Sequence, residues 1–225
     1  MMDTYIDSTL LPAVAAAPIS FRDSHCIKEG LYTAIRNISS GLVAQFGVYK
    51  GKSLKTMSTI CNTSCHIFAF DSFEGLPEKW RNGKHPNFEH SYTAKGAFDM
   101  RGQVPRLGLK NVAFTVGLFA DTLPSFLAST AYSKASFLHI DADLYSSTRD
   151  VLCSFQNKSM LTVGTVIVFD ELLGYPEYRS GEVRALYECV VARGHRVRIL
   201  QRGIKKVSTN YTVETWPQSV ALQLV

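Results

Sequence analysis

The sequence predicts an α/β fold, a doubly wound and mostly parallel sheet with helices on both faces. Five short apolar runs are the first reason: Leu42 to Phe46, His66 to Phe70, Val112 to Val116, Ala135 to Ile140 and Val163 to Phe169. Each is nearly continuous in hydrophobicity, as strands covered on both faces are. Helix-like stretches separate them, at Gly51 to Asn62, Asp121 to Ser129, Ser146 to Asn157 and Gly181 to Arg193, and such alternation builds parallel sheets through crossover connections. A chain of 225 residues and 25.0 kDa also suits one domain, 1–225, with a full core.

Three segments depart from this rhythm. Residues 1–40 read as an N-terminal helical arm or cover, with a helix-like piece from Ser24 to Ile38. Residues 74–101 form a long insertion between strand and helix, a length typical of lids. Its Trp80, Phe88, Tyr92 and Phe98 are candidate pocket walls. Residues 195–225 read as an edge hairpin, with strands at His195 to Leu200 and Thr209 to Val213.

Composition excludes several classes. With 46% hydrophobic and 19% charged residues, the chain is neither disordered nor fibrous. No run reaches the roughly 18 to 20 apolar residues that span a bilayer, and Leu10 to Ile19 is interrupted by Pro12 and Pro18 and preceded by Asp3 and Asp7 instead of the cations of a signal peptide. Five cysteines without paired C-x-x-C spacing argue against a disulfide framework or zinc module and for a reducing, cytoplasmic setting. Cys61 and Cys65 share a helix face and read as core thiols. The excess charge of +5 is concentrated between Arg193 and Lys206. That stretch lacks interleaved aromatics, so a solvated edge is expected and no nucleic acid or membrane partner.

Ligands of such sheets bind beyond the carboxyl ends of the strands. After the first run comes Gln45-Phe46-Gly47-Val48-Tyr49-Lys50-Gly51-Lys52-Ser53, where glycines allow a sharp turn and the next helix aims its amides at a ligand. The loop misses the phosphate-gripping pattern of P-loop enzymes by one residue, because three rather than four residues precede Gly51-Lys52-Ser53. A phosphotransferase is thus one alternative, and a non-catalytic cofactor-binding homologue another. Asp71 ends the second run, about twenty-four residues beyond Gly47, where related nucleotide-binding folds hold a ribose. Asp141 and Asp143 follow the fourth run, and Asp170 and Glu171 the fifth. Neighbouring parallel strands lie about 4.8 Å apart, so these carboxylates converge. Such crowding calls for a cation or a shared proton, and oxygen ligands select a hard ion such as Mg2+. His139, set within a strand, reads as a core histidine.

The blocks Gln45 to Ser53, Phe70 to Pro77, Gly117 to Pro124, His139 to Thr148 and Val168 to Glu171 together resemble the macrocin O-methyltransferase (TylF-like) family of class I S-adenosylmethionine-dependent enzymes. The resemblance covers about residues 40 to 190. It implies a Rossmann-like sheet of seven strands, the last antiparallel, and methylation of a hydroxyl on a sugar or phenolic natural product. It also implies that Gly47, Tyr49, Gly51 and Ser53 surround the methionine part of the cofactor and that Asp71 holds its ribose. Ser72 and Phe73 would lie beside the adenine, closed by Gly117 and Phe119. Asp141, counted also among the cofactor contacts and catalytic groups, would bind magnesium with Asp170 and Glu171, and Asp143 would be the general base. Two departures stand out. Gln45 replaces the family's usual glutamate, so a contact to the cofactor amine loses its charge, and Glu171 replaces a second aspartate. A small-molecule hydroxyl acceptor is the expected partner, and the apolar arm allows a homodimer.

Overall fold

Each apolar run forms a strand: β2 (Leu42–Phe46), β3 (Ile67–Asp71), β4 (Val112–Val116), β5 (Ala135–Ile140) and β6 (Val166–Phe169). The computed structural model describes residues 1–20, 23–37, 41–62, 65–80, 94–175, 177–208 and 213–225. Strand β6 begins at Val166, later than its apolar run, because Thr165 N–H bonds back to the Thr162 carbonyl in a turn that places Gly164 at φ +95°. The crossover helices are α4 (Lys52–Cys61), α5 (Phe119–Ser129), α6 (Tyr145–Asn157) and α7 (Glu182–Cys189).

Among the described residues the sheet has eight strands in the order β1 (Ile19–Ser20), β7 (Val197–Ser208), β8 (Val213–Leu224), β6, β5, β2, β3 and β4. The chain runs outward from β2 through β3 to β4, then returns to the other side of β2 with β5. The switch point therefore lies between β2 and β5, which pair in parallel with Phe46 opposite Ile140. Alternate strand residues feed two cores. Leu42, Ala44, Phe46, Ile167 and Phe169 pack on the side of α5, α6 and α7, whereas Val43, Val166 and Val168 pack on the side of α3 (Asp23–Asn37) and α4. Gly30 lets α3 lie flat on the sheet, since a Cβ there would stand 2.7 Å from a Val168 methyl.

Both ends of the chain correct the sequence reading. The C-terminal hairpin consists of β7 (Val197–Ser208) and β8 (Val213–Leu224), and β8 lies inside the sheet, antiparallel to β6 and to β7. Val220, Ala221, Leu222 and Leu224 are fully buried, so the last residues complete the interior rather than decorate an edge. The expected start of that strand at Thr209 lies outside the described residues. At the other end, α1 (Met2–Tyr5), a π-helical turn at Ile6–Leu10 and α2 (Leu11–Ala16) form one helical arm. Ile6, Leu10 and Val14 anchor it in the core. The arm leads into the short β1 (Ile19–Ser20), an eighth strand parallel to β7. Arg179 bonds Asp3 and Asp7 across the arm, but these exposed pairs contribute little.

The cysteines also depart from expectation. Cys61 is bonded to Cys65 and Cys153 to Cys189, and Cys26 is a buried thiol outside both disulfides. The pairs have Cα separations of 5.2 and 5.0 Å, well within disulfide range. The first pair joins the last residue of α4 to Cys65 ahead of β3, and the second ties α6 to α7. Only folding brings Cys153 and Cys189 together. Among the described residues no helix is long and apolar enough to cross a membrane.

Candidate active site

Gly47 sits where the strand tips are closest. Asp141 N–H donates to the Phe46 carbonyl at 2.8 Å, and a Cβ on Gly47, at φ +86°, would lie 1.8 Å from the Asp141 carbonyl oxygen. No other residue fits that point without parting β2 from β5. Tyr49 and Gly51 also have positive φ, and Gly51 caps α4. Gln45, fully buried, donates from Nε2 to the Gly47 carbonyl at 2.8 Å and to Ser53 Oγ at 2.7 Å, while its Oε1 has no hydrogen-bond partner. It thus ties the end of β2 to the start of α4.

Asp71 closes the loop from the next strand. One carboxylate oxygen accepts the amides of Val48 at 2.7 Å and Tyr49 at 2.9 Å, and the other accepts Phe73 N–H at 2.8 Å. A carboxylate offers about four acceptor positions, so capacity remains for a ligand hydroxyl. The same bonds tell against a phosphate cradle, since two loop amides already point at Asp71.

Asp141 and Asp170 follow the neighbouring strands β5 and β6. Asp170 N–H donates to the Ile140 carbonyl at 2.9 Å, which sets the tips of β5 and β6 side by side. Loss of solvent holds the Asp141 carboxyl well above the usual carboxylate range, and Asp170, Asp143, Glu171 and Glu182 push it further. Asp143 stands at φ +60° in a tight turn closed by Leu144 N–H on the Ala142 carbonyl at 2.6 Å. A non-glycine residue held there is strained, a condition that gathers at functional sites. Among the described residues no group of three or more His, Cys, Asp or Glu is arranged to hold a metal ion.

These groups surround a cavity of about 760 Å³. Gly47, Tyr49, Asp71, Ser72, Gly117, Phe119, Asp141, Asp143, Asp170 and Glu171 line it. Gln45, Gly51, Ser53 and Phe73 do not. Phe73 is buried against Phe114, and Gly51 faces Leu107, so these four shape the loop from behind. Of the expected aromatic walls, Trp80 and Phe98 line the cavity, and Phe88 and Tyr92 lie outside the described residues.

Sequence reading missed Glu78, Ser146, Ser147 and Asp150 on the wall, and Glu182 behind it. Glu182 accepts Thr148 Oγ1–H at 3.1 Å, and burial, then Asp143 and Glu171, hold its carboxyl well above the usual range. A glutamate in the first turn of a helix gives no sign that it is buried. The start of α6 was legible, because ligands gather at the amino ends of helices that follow strand tips.

Comparison with known proteins shows the family and the fold. The family model described as macrocin-O-methyltransferase (TylF) matches residues 6–184. Among solved structures, CalS11, a calicheamicin methyltransferase, is 21% identical with a TM-score of 0.61, covering 88% of this chain and 78% of its own. The O-methyltransferase NovP is 18% identical with a TM-score of 0.56, covering 89% and 79%. TomG of Streptomyces achromogenes, involved in tomaymycin synthesis and solved with SAM, is 13% identical with a TM-score of 0.51, covering 89% and 79%. No curated protein sequence matches. The chain belongs to the macrocin O-methyltransferase family and is a SAM-dependent O-methyltransferase.

Proposed function

We propose that the enzyme transfers the methyl group of S-adenosylmethionine to a hydroxyl of a sugar or phenolic natural product, with Asp143 as general base. The observation that carries this reading is that Gly47, Asp71, Asp141, Asp143 and Asp170 line one cavity. The biosynthetic roles named for CalS11 and TomG support an acceptor of that kind.

The residues divide the work. Asp71 offers its remaining acceptor capacity to the ribose hydroxyls. Leu118, Phe119 and Ala120 form the apolar side of the cavity, suited to the adenine. Methyl transfer is an in-line displacement, so the protein's main task is to align the acceptor oxygen with the sulfonium carbon. A neutral hydroxyl is a weak nucleophile, and Asp143, held at the cavity wall by its strained turn, takes its proton. The all-oxygen donors Asp141, Asp170 and Glu171 fit a hard divalent cation in chemistry. When bound, such a cation would lower the pKa of the acceptor hydroxyl.

Calorimetry with S-adenosylhomocysteine and turnover of the Asp143→Asn variant test the reading. Binding is expected to survive the substitution while turnover falls roughly 10²- to 10⁴-fold. Unchanged turnover removes Asp143 as base, and activity indifferent to EDTA removes the cation. Failure of the wild-type protein to bind the homocysteine product defeats the whole assignment.

A further inference from the structure

Gln45 and His139 are direct partners across the seam between β2 and β5, the switch point of the sheet. Both are fully buried. They share a face: Val43 and Phe137, two residues before each, pack in the core on the side of α3 and α4, whereas Ala44, Phe46, Leu138 and Ile140 pack in the other core. Neighbouring strands lie about 4.8 Å apart, so the two side chains stand side by side behind the Gly47 loop. Neither lines the cavity.

The Gln45 amide has a fixed sense. Its Nε2 donates to the Gly47 carbonyl at 2.8 Å and to Ser53 Oγ at 2.7 Å, and a flipped amide would set Oε1 against that carbonyl oxygen, acceptor on acceptor. Oε1 must therefore face elsewhere, and among the described residues it has no hydrogen-bond partner. Nδ1 and Nε2 of His139 are in the same state. Buried polar atoms left without partners are costly, and a water that joins two or more of them is the usual remedy in folded proteins. A neutral imidazole presents one donor and one acceptor, and a water can answer either while it donates to Oε1.

We propose that one buried water bridges Gln45 Oε1 and His139, and that His139 is thereby a positioning residue for the cofactor loop, holding the amide that ties β2 to α4. His139 touches neither cofactor nor acceptor in this arrangement, and the methyltransferase reading enters only through the ligand used to observe it.

A double-mutant cycle on the full chain tests this, read by calorimetry with S-adenosylhomocysteine. His139→Phe keeps a flat ring and loses both nitrogens, and is expected to weaken binding about three- to tenfold, the worth of one hydrogen bond. In a Gln45→Met background the same substitution is expected to change affinity by less than about twofold, because the amide it acted through is gone. His139→Asn and His139→Gln carry amides toward the places of Nδ1 and Nε2, and at least one is expected to bind within about twofold of wild type. A crystal structure of the wild-type protein is expected to show a water within about 3.2 Å of Gln45 Oε1 and of one imidazole nitrogen, and decides the matter even where a variant does not fold. Affinity unchanged by His139→Phe, equal losses in the two backgrounds, no recovery by either amide variant, or a dry seam between Gln45 and His139 overturns the proposal. Wild-type protein that fails to bind the homocysteine product instead strikes the methyltransferase reading, so the two failures are told apart.

Discussion

Replacing Gly47 by alanine probes the closest approach in the site. The new Cβ would stand 1.8 Å from the Asp141 carbonyl oxygen, on a residue at φ +86°. Three costs combine. A left-handed conformation costs a non-glycine residue about 1 to 2 kcal/mol. Forcing a methyl into a packed position costs about 1 to 3 kcal/mol. Parting the strand tips also endangers the 2.8 Å bond from Asp141 N–H to the Phe46 carbonyl, worth about 0.5 to 1.5 kcal/mol. The sum is about 2.5 to 6.5 kcal/mol, a large share of the roughly 5 to 15 kcal/mol of a typical fold. At about 2 to 4 °C per kcal/mol for a chain of this size, Tm should fall by roughly 5 to 26 °C. Gly108→Ala is the control. It has φ +66° but nothing within 4 Å of its Cβ site, so only the conformational cost applies and the fall should be about 2 to 8 °C. Calorimetry with S-adenosylhomocysteine should show lost affinity in Gly47→Ala and retained affinity in Gly108→Ala. Equal melting temperatures for the two variants, with cofactor-product binding intact in both, would refute the steric reasoning.

Three further outcomes are expected. Gln45→Glu restores the family's usual residue but removes the amide donor 2.8 Å from the Gly47 carbonyl, and should lower stability by about 1 to 3 kcal/mol in urea unfolding; a more stable variant contradicts this. His139 is fully buried, neither ring nitrogen has a hydrogen-bond partner, and burial lowers its pKa to about 3. The unfolded chain therefore binds a proton below about pH 6.5 that the native state refuses, so stability is lost as pH falls from there, by about 1.4 kcal/mol per unit. His139→Leu should flatten that part of the profile relative to wild type, and parallel profiles would sink the account. Reducing the Cys153–Cys189 bond, which closes a loop of sequence separation 36, should lower stability by about 3 to 4 kcal/mol; an unchanged Tm in dithiothreitol speaks against that bond.

What could be read from the chain alone follows from periodicity and from strand ends. The five buried strands were legible because a parallel strand covered on both faces must be apolar throughout, as Leu42–Phe46 and Ala135–Ile140 are. Asp71, Asp141, Asp143 and Asp170 were legible for the same reason, since a carboxylate that ends such a run has only the cavity mouth to face. Tertiary structure decided the rest. The chain's end reads as half of an edge hairpin until β6 and β7 enclose β8, and nothing local says that Cys153 will meet Cys189. Glu182 is buried only because α7 packs against α6 at Thr148. Gln45 and Ser53 stand eight residues apart on a strand and a helix, and became partners because the Gly47 turn folds one back over the other. Local pattern records which faces must leave water; the pairings among distant residues arise only when those faces close on one another.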